Sequence, residues 1–541
     1  MSSGTSQAGG EPLSALLARS EPSRPAFIIP DDGKVLTFAQ VTDGVETLAA
    51  RLAGAGVRRG DRVALALPNS PGYVLLLLAV TRLGAAAAPL NPAYTPTEFG
   101  FFLSDIAPRL FLIPASRPAG AVAAAEQAGT PLLAVRPAGG GPPDLLGGGS
   151  GGPVPERRSY QPGEPDDVAI VLHTSGTTSR PKQVPLRQRN LMASVRTIAA
   201  HYRLGPQDVS FSVMPLFHIH GLVASTFAAL STGGTVITPR RFTPRRFWRH
   251  AREHRATWLS AGPTLHQMIL DRADEAGPPD SLRFVRSCSS ALSPALLERG
   301  ERTYRAPMLE AYGMTEASHQ MAANPLPPAA HIPGSVGIPT GTEIRVADPA
   351  GRFLPDGTAG EVVLRGPGVM SGYVANPEAT AAAFFGDWFR TGDRGVLRGG
   401  YLYLEGRIKE MIIRGGENIA PAEVEQVLLG HPAVRDAVCF GVADEKYGEL
   451  VGAAITLADG AEPPEPKALI SHCREQLAAF KVPARIEVLD TIPRTPTGKV
   501  QRRQVGEFVA QRHNGAAHNR AVHNGAPHTM PGHDGPGEPG A

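Results

Sequence analysis

The chain has 541 residues, of which 42% are hydrophobic, and it carries a formal net charge of +3 at pH 7. This length exceeds what one hydrophobic core supports, so two or more domains are expected. The near-neutral charge favours neither nucleic acid nor a membrane surface as a partner. Three cysteines without a CxxC pair argue against a disulfide framework and a zinc knot.

The N-terminal residues are polar, and we predict that residues 1–12 are disordered. They lack the basic start and the apolar core of a secretory signal. The most apolar run extends from Tyr73 to Thr81 and is interrupted by Arg82, so it is too short to cross a bilayer. We therefore expect a cytoplasmic protein.

A Gly/Pro-rich stretch at residues 138–166 predicts a surface loop, and strands and helices alternate after it. The predicted strands are 168–172, 209–214, 235–238, 257–260 and 282–287. The predicted helices are 191–202, 222–230, 242–254 and 264–273. This alternation predicts a mainly parallel sheet with helices on both faces. In such sheets, ligands bind in loops at the carboxyl ends of the strands.

The second half of the chain has a different pattern. Between residues 340 and 404, short alternating segments separated by turns predict antiparallel β-structure. Farther on, to about residue 510, a helix, a strand and a second helix predict a compact α+β segment. Residues 512–541 are rich in His, Gly and Pro, which predicts a disordered tail, with adventitious metal binding as the alternative.

The sequence "VLHTSGTTSRPKQV", residues 171–184, is a candidate phosphate-binding loop. A buried strand opens there into Ser, Thr and Gly residues, and the loop finishes on Lys182. Successive backbone N–H groups in such turns form concave sites for phosphate oxygens. The segment lacks the GxxxxGK[ST] pattern of a P-loop. By itself it fits an ordinary Ser/Thr loop equally well.

Six further segments follow this loop in a fixed order. They are "MPLFHIHGL" (214–222), "RSCSSALSP" (286–294), "LEAYGMTEASH" (309–319), "WFRTGD" (388–393), "GRIKEMIIRGGENIAPAEVE" (406–425) and "PRTPTGKVQRR" (493–503). Together with the loop they resemble the acyl-adenylate-forming superfamily of acyl-CoA synthetases, luciferases and peptide-synthetase adenylation domains. The resemblance covers about residues 25–510, and the loop, "PLFHIHGL" and "YGMTEASH" are most similar to the oxalate–CoA ligase group.

The resemblance implies an α/β fold with two domains. Residues 13–407 would form a large N-terminal domain of parallel α/β sheets with a small β-barrel subdomain. Residues 408–511 would form a smaller, mobile α+β domain. The implied reaction joins an acid to CoA with consumption of ATP, because an acyl-AMP has a better leaving group than a free carboxylate. The implied cofactors are ATP, Mg²⁺ and coenzyme A. Catalysis of this kind is mostly positioning and charge neutralisation.

The resemblance also implies a role for each motif residue. The phosphate-loop residues are Thr174, Ser175, Gly176, Thr177, Thr178 and Lys182. The residues of the adenine and ribose site are Glu310, Ala311, Tyr312, Asp393 and Arg407. Thr315 would contact the α-phosphate and Glu316 would bind Mg²⁺. Lys499 would bridge the acid and the α-phosphate; without its flanking "PxTxxGKxxRR" pattern, an exposed lysine would be the simpler interpretation.

The second half-reaction requires that CoA enter after diphosphate leaves. In the superfamily the small domain rotates, which would withdraw Lys499 and present the "RGGEN" segment. Gly415 and Gly416 are suited to a close approach of the pantetheine arm. Lys409 matches the hinge position, and an ordinary solvated linker charge is the alternative.

Four side chains are candidates for the acid pocket: His218, His220, Ser289 and His319. A small dicarboxylate keeps one free carboxylate after activation, and this group needs donors or positive charge nearby. Such an anion would favour the charged form of a histidine. The resemblance to the oxalate–CoA ligase group implies oxalate or another small dicarboxylate as the acid.

Three alternatives remain at this point. A medium-chain fatty or aryl acid–CoA ligase would need a long apolar channel, and a carrier protein could replace CoA. A non-catalytic nucleotide-binding homologue is disfavoured by the presence of Lys182, Glu316 and Lys499. Gln183 departs from the family pattern, because it stands where the loop usually has a small residue.

The basic stretch at residues 239–255 predicts an amphipathic surface helix rather than a nucleic-acid site. Phe247, Trp248 and Ala251 would form its apolar side. Contact with the phosphates of CoA is a lesser hypothesis for its arginines.

Overall fold

The computed structural model describes residues 10–137, 142–146, 157–174, 181–274, 276–458, 460–494 and 500–523. Ser175, Gly176, Thr177, Thr178 and Lys499 therefore lie outside the described residues. The chain divides into two compact units: the described residues up to Glu410 and Arg494 belong to the first, and residues 411–493 and 500–523 belong to the second. The main division along the chain falls between residues 410 and 411. This is three residues beyond the predicted boundary.

The first part of the first unit extends from helix α1 to strand β7. They are α1 (Ala15–Ala18), β1 (Pro25–Ile29), β2 (Lys34–Thr37), α2 (Phe38–Gly54), β3 (Arg62–Leu65), α3 (Pro71–Arg82), β4 (Ala86–Pro89), α4 (Pro96–Ile106), β5 (Leu110–Pro114), α5 (Ala119–Gln127), β6 (Leu132–Arg136) and β7 (Asp144–Leu146). Strand β7 lies within the predicted loop at residues 138–166, because its residues pair antiparallel with β6 and bury Leu145. That part of the loop prediction was wrong.

The alternating elements predicted after this loop are present. They are β8 (Val168–His173), β9 (Gln183–Arg187), α6 (Gln188–His201), β10 (Val209–Ser212), α7 (Ala228–Leu230), β11 (Thr235–Ile237), α8 (Pro244–Glu253), β12 (Trp258–Ala261), α9 (Pro263–Leu270), β13 (Phe284–Ser287), α10 (Pro294–Tyr304), β14 (Met308–Met314) and β15 (His319–Ala323). The predicted helix 222–230 starts as a π-helix over His220–Phe227. The Thr226 hydroxyl there donates to the Gly221 carbonyl at 2.9 Å, five residues back along the chain.

Helix α8 confirms the amphipathic prediction for the basic stretch. Phe247, Trp248 and Ala251 are buried. Arg246 pairs with Asp31 at the surface. The helix therefore packs its apolar side against the unit's core, as its period of apolar residues requires.

The remaining elements of the first unit are mostly antiparallel. They are β16 (Ile338–Pro339), β17 (Glu343–Ala347), β18 (Gly360–Arg365), α11 (Pro377–Ala382), β19 (Phe384–Phe385), β20 (Trp388–Arg398) and β21 (Tyr401–Arg407). Strands β17 to β21 form one antiparallel sheet, as predicted for this stretch. We predicted a small barrel, but among the described residues no strand pair closes this sheet into a ring.

Two large sheets position the candidate site. One has the strand order β16-β15-β14-β13-β12-β10-β11-β1-β2, and the other has the order β7-β6-β5-β3-β4-β8-β9. The central strands of both are parallel, and antiparallel strands lie only at the edges. The predicted parallel α/β architecture is thus confirmed. The carboxyl ends of strands β8, β13 and β14 are each followed by a segment that the sequence predicts to be functional.

The second unit is a smaller α+β body. Its elements are β22 (Ile412–Arg414), β23 (Glu417–Ile419), α12 (Pro421–Leu429), β24 (Val434–Asp444), β25 (Gly448–Leu457), α13 (Pro466–Gln476), β26 (Arg485–Val488) and α14 (Arg502–His523). Its sheet has the order β23-β22-β25-β24, with β26 parallel to β25. The α+β prediction for this segment agrees with these elements.

Helix α14 corrects the prediction that disorder begins at residue 512. The helix continues to His523. Ala516, Ala517 and Ala521 are strong helix formers, and they extend a helix already nucleated by buried Val505 and Val509. Residues 524–541 lie outside the described residues. In the described part of the chain, no helix combines the length and apolarity that a membrane span requires.

Candidate active site

Three of the predicted nucleotide residues lie in contact. The Tyr312 hydroxyl, from β14, donates a hydrogen bond to the carboxylate of Asp393 on β20. Arg407 Nε lies 2.6 Å from Asp393 Oδ1, because the register of β20 and β21 places these two residues opposite each other. Burial, and then the Asp393 charge, raise the pKa of Tyr312 well above its ordinary value, so the phenol stays protonated and keeps donating.

Glu310 and Ala311 occupy the same strand as Tyr312. The Glu310 carboxylate accepts a hydrogen bond from the Gly334 N–H at 3.2 Å. Burial raises the pKa of Glu310 to about 7. Ala311 pairs with Ala323 across β14 and β15. Glu310 therefore has a backbone hydrogen-bond partner within the protein. Tyr312, in contrast, contacts the Asp393 carboxylate.

Thr315 and Glu316 follow directly at the carboxyl end of β14, in a 3₁₀ turn. Burial raises the pKa of Glu316. The Tyr373 hydroxyl donates to Glu316 Oε1 at 3.4 Å, and Lys182 Nζ lies 4.6 Å from the centre of the Tyr373 ring. Tyr373 thus connects the magnesium candidate with the lysine of the phosphate loop. Sequence analysis missed it, although "GVMSGY" shows it as a polar aromatic after a Gly-rich turn.

The residues around Glu316 fit a magnesium ion. A buried carboxylate is costly to ionise unless a cation or donors compensate its charge. Oxygen from carboxylates, phosphates and water is what Mg²⁺ prefers. Glu316 meets this requirement, since its side-chain hydrogen-bond partner among the described residues is the Tyr373 phenol rather than a cation.

Hydrogen bonds hold the two ends of the candidate phosphate-binding loop. His173 and Gln183 pair across β8 and β9, and the Thr174 N–H donates to the Lys182 carbonyl at 3.0 Å. Gln183 Nε2 donates to Asp105 Oδ2 at 2.7 Å, and His173 Nε2 lies 2.9 Å from the same oxygen. Gln183, the departure from the family pattern, therefore ties the base of the loop to α4.

Arg286 on β13 is the main residue that sequence analysis did not single out. Its side chain is fully buried, at 0% exposure. One terminal nitrogen donates to Ser260 Oγ at 2.8 Å, and the other donates to Gln320 Oε1 at 3.1 Å. Its Nε has no hydrogen-bond partner, and no carboxylate of the described residues forms an ion pair with it. A buried guanidinium without an anion is costly, so this site is prepared for one.

His220, Ser289 and His319 lie around Arg286. His220 Nδ1 lies 2.9 Å from Ser289 Oγ, and the other nitrogen lies 2.7 Å from Ser260 Oγ. The rings of His220 and His319 stack with centroids 4.8 Å apart, and His319 Nε2 lies 3.1 Å from Arg286. Three of the four predicted acid-pocket residues therefore form one cluster.

The backbone of this cluster is strained. Ser289 has a φ of 80° and His319 a φ of 100°, values that residues other than glycine rarely adopt. Such strain persists where the surrounding structure holds it, and it is concentrated at functional sites. Gly313 permits the close approach, because a Cβ there would lie 2.3 Å from the His319 carbonyl oxygen.

The prediction that an anion favours charged histidines concerns the complex with the acid, and it stays a prediction. Within the protein itself, burial and then the Arg286 charge hold the pKa values of His220 and His319 well below 6.5. The imidazoles are therefore neutral hydrogen-bonding groups, and the positive charge of the pocket belongs to Arg286.

His218 lies outside the Arg286 cluster. Together with Thr315 and the end of β8, it lines a small cavity of about 40 Å³. Its Nε2 is buried without a hydrogen-bond partner among the described residues, and burial lowers its pKa to about 4. The structure thus places His218 and Thr315, the α-phosphate candidate, around the same cavity.

The predicted CoA and hinge residues lie in turns. Lys409 lies in a 3₁₀ turn, immediately before the division between the units. Gly415 and Gly416 form the turn between β22 and β23 with φ values of 60° and 89°. Nothing lies within 4 Å of a Cβ built on Gly416, so its conformation, rather than crowding, requires glycine.

Two family models match the chain. The model described as AMP-binding enzyme matches residues 16–374, and that of the AMP-binding enzyme C-terminal domain matches residues 423–499. The chain belongs to the AMP-binding enzyme family. The predicted superfamily resemblance is therefore confirmed. The prediction of CoA as a cofactor is corrected, because CoA is a substrate of such ligases.

Individual relatives agree with this assignment. Oxalate–CoA ligase of Arabidopsis thaliana is 45% identical and covers 92% of this chain and 99% of that protein. Sulfoacetate–CoA ligase of Cupriavidus necator is 38% identical over 91% of this chain and 96% of its own. The structure of o-succinylbenzoate–CoA synthetase from Bacillus subtilis with ATP and magnesium has a TM-score of 0.80, at 30% identity, covering 91% of this chain and 99% of its own. The chain is an AMP-forming acyl-CoA synthetase.

Proposed function

We propose that the acid is oxalate, and that the protein converts oxalate, ATP and CoA to oxalyl-CoA, AMP and diphosphate. The observation that supports this acid is buried Arg286, which has no carboxylate partner among the described residues and lies beside neutral His319. Oxalate has two carboxylates. One is activated and the other remains charged, so the second matches the guanidinium.

The polar groups around Arg286 disfavour the fatty and aryl alternatives. An alkyl chain or an aromatic ring would leave two needs of Arg286 unmet, an anion for its charge and a hydrogen-bond partner for its Nε. A short acid with a second anionic group satisfies them. Sulfoacetate carries such a group as a sulfonate, and it is therefore the second candidate.

Each step of the proposed reaction depends on groups of the protein. A carboxylate oxygen of the acid attacks the α-phosphorus of ATP, and diphosphate leaves. The CoA sulfur then attacks the acyl carbon, and AMP leaves. Lys182, Thr174 and the loop between them hold the outer phosphates, while Asp393 accepts hydrogen bonds from the ribose. When bound at Glu316, Mg²⁺ neutralises phosphate charge.

The remaining roles concern the exchange between half-reactions. Lys499 stabilises the charge that builds between acid and α-phosphate in the first step. Gly415 and Gly416 supply a turn without side chains for the pantetheine arm, and Lys409 lies at the hinge. Thr315 contacts the α-phosphate. A nucleotide-binding protein without catalytic activity would need neither Lys499 nor the Gly415–Gly416 turn.

A panel of acids tests the proposed substrate. Diphosphate release is measured with CoA, Mg²⁺ and ATP for oxalate, malonate, sulfoacetate, acetate and octanoate. We expect kcat/KM for oxalate to exceed that for acetate and octanoate by at least about 100-fold, because a site built around a charged group strongly rejects an analogue that lacks it. Faster turnover of octanoate than of oxalate would refute the assignment of the acid.

A further inference from the structure

The last turn of α8 and its C-cap residue carry three groups with metal-ligand chemistry on one side. His250, Glu253 and His254 are spaced i, i+3 and i+4, which brings their side chains together. One ligand atom from each lies within 4.8 Å of the others. His250 Nδ1 lies 3.4 Å from Glu253 Oε2, and the two imidazole rings are within 16° of parallel, with centroids 6.4 Å apart.

His250 supplies an independent indication of a ligand. It is buried, at 4% exposure, and neither ring nitrogen has a hydrogen-bond partner among the described residues. The Glu253 contact does not satisfy hydrogen-bond geometry. Buried polar groups are nearly always satisfied, so an orphaned imidazole requires an explanation. A metal ion would supply the missing partner, since neutral imidazole is the commonest metal ligand in proteins.

The arginines of α8 leave room for a cation at this turn. Arg252 is held away by a bidentate pair with Asp274, with both oxygens at 2.7 Å. Among the arginines, only Arg249 forms an ion pair with Glu253 in the described part of the chain, and it does so at 3.7 Å from an exposed position. An exposed pair of this length contributes little, so a metal ion can displace it.

The position of this turn separates it from the candidate active site. Helix α8 leads from the carboxyl end of β11 to the amino end of β12, and its last turn precedes Trp258. The active-site cluster follows the carboxyl ends of β13 and β14 instead. The three candidate ligands therefore lie near the amino ends of the strands, whereas the active-site cluster lies near the carboxyl ends of strands in the same sheet.

We propose that His250, Glu253 and His254 form a binding site for a divalent first-row transition metal, with Zn²⁺ as the best match. Two imidazoles and one carboxylate, with water in the fourth position, complete a tetrahedral zinc environment. The ion fastens the C-terminal turn of α8 and adds binding energy only to the folded state, so it raises the protein's thermal stability.

The test titrates the metal-free, full-length protein with Zn²⁺ by calorimetry and with Co²⁺ by visible absorption. Wild type is compared with Glu253→Gln and His254→Ala, both of which alter exposed or partly exposed side chains. His331→Ala is the matched control, because its imidazole pairs only with Glu301 among the described residues, at 2.9 Å. Histidines beyond residue 512 are present in every variant, so their contribution cancels.

We expect wild type and His331→Ala to bind one more equivalent of Zn²⁺ than His254→Ala does. Glu253→Gln should bind at that site about tenfold more weakly or worse. Zn²⁺ should raise the unfolding temperature of wild type but not that of His254→Ala. Identical isotherms and identical thermal responses in wild type, Glu253→Gln and His254→Ala would overturn the proposal.

Discussion

Replacing Arg286 with methionine is expected to lower kcat/KM for oxalate by at least about 30-fold, because truncating one partner of a buried charge pair costs about 2–5 kcal/mol. The loss should be confined to acids with a second anionic group. Turnover of acetate, already slow, should change little, because acetate presents no second charge to Arg286. Steady-state diphosphate release with both acids measures this difference.

Stability provides the control for this prediction. Methionine loses the hydrogen bonds of Arg286 to Ser260 and Gln320 but also removes a buried charge that has no anionic partner among the described residues, so the free energy of unfolding should change little. Arg299→Met, which breaks a surface pair with Asp271, is the matched arginine variant and should leave kinetics unchanged. An equal loss of oxalate and acetate turnover in Arg286→Met, with the fold intact, would remove Arg286 from acid recognition.

Lys499→Ala is expected to reduce formation of the acyl-adenylate on the order of 100-fold or more, since removing a preorganised charge from developing negative charge has this effect. The second half-reaction should survive, because Lys499 is proposed to act only before diphosphate leaves. ATP–diphosphate exchange measures the first step. Thioester formation from preformed acyl-adenylate and CoA measures the second.

Lys481→Ala is the matched control for the Lys499 substitution. Lys481 pairs with Glu423 in the second unit, at 2.6 Å, and has no proposed role in catalysis. Both half-reactions should proceed normally in this variant. Equal loss of both half-reactions in Lys499→Ala, in a folded protein, would contradict the proposed division of labour.

Much of the fold could be predicted because the sequence patterns are local. The alternation of apolar runs from Val168 to Ser287 predicts the strands and helices that the structure contains. Motif residues adjacent to strand ends, such as Tyr312 and His319, could likewise be placed near a common edge. The extent of the final helix could not be predicted, because the helix propensity of alanine and the helix-breaking effect of Gly and Pro oppose each other within one short segment.

The charge of the acid pocket could not be predicted from local patterns. Arg286 stands inside the apolar segment "FVRSC", where nothing distinguishes a buried arginine from one that reaches the surface. Its role depends on Ser260, His319 and Gln320, which lie on other strands. The lowered pKa values of the histidines follow from that same long-range arrangement. The contact of Gln183 could not be predicted either, because its partner Asp105 lies on α4, far away in the sequence.

The most direct test of the account follows the oxygen atoms of the acid. Oxalate labelled with ¹⁸O is incubated with the protein, ATP, Mg²⁺ and CoA, and the products are analysed by mass spectrometry. Attack of the carboxylate on the α-phosphorus predicts that each AMP carries a single ¹⁸O from the acid. Formation of ADP, or AMP without the label while oxalyl-CoA accumulates, would contradict an acyl-adenylate route.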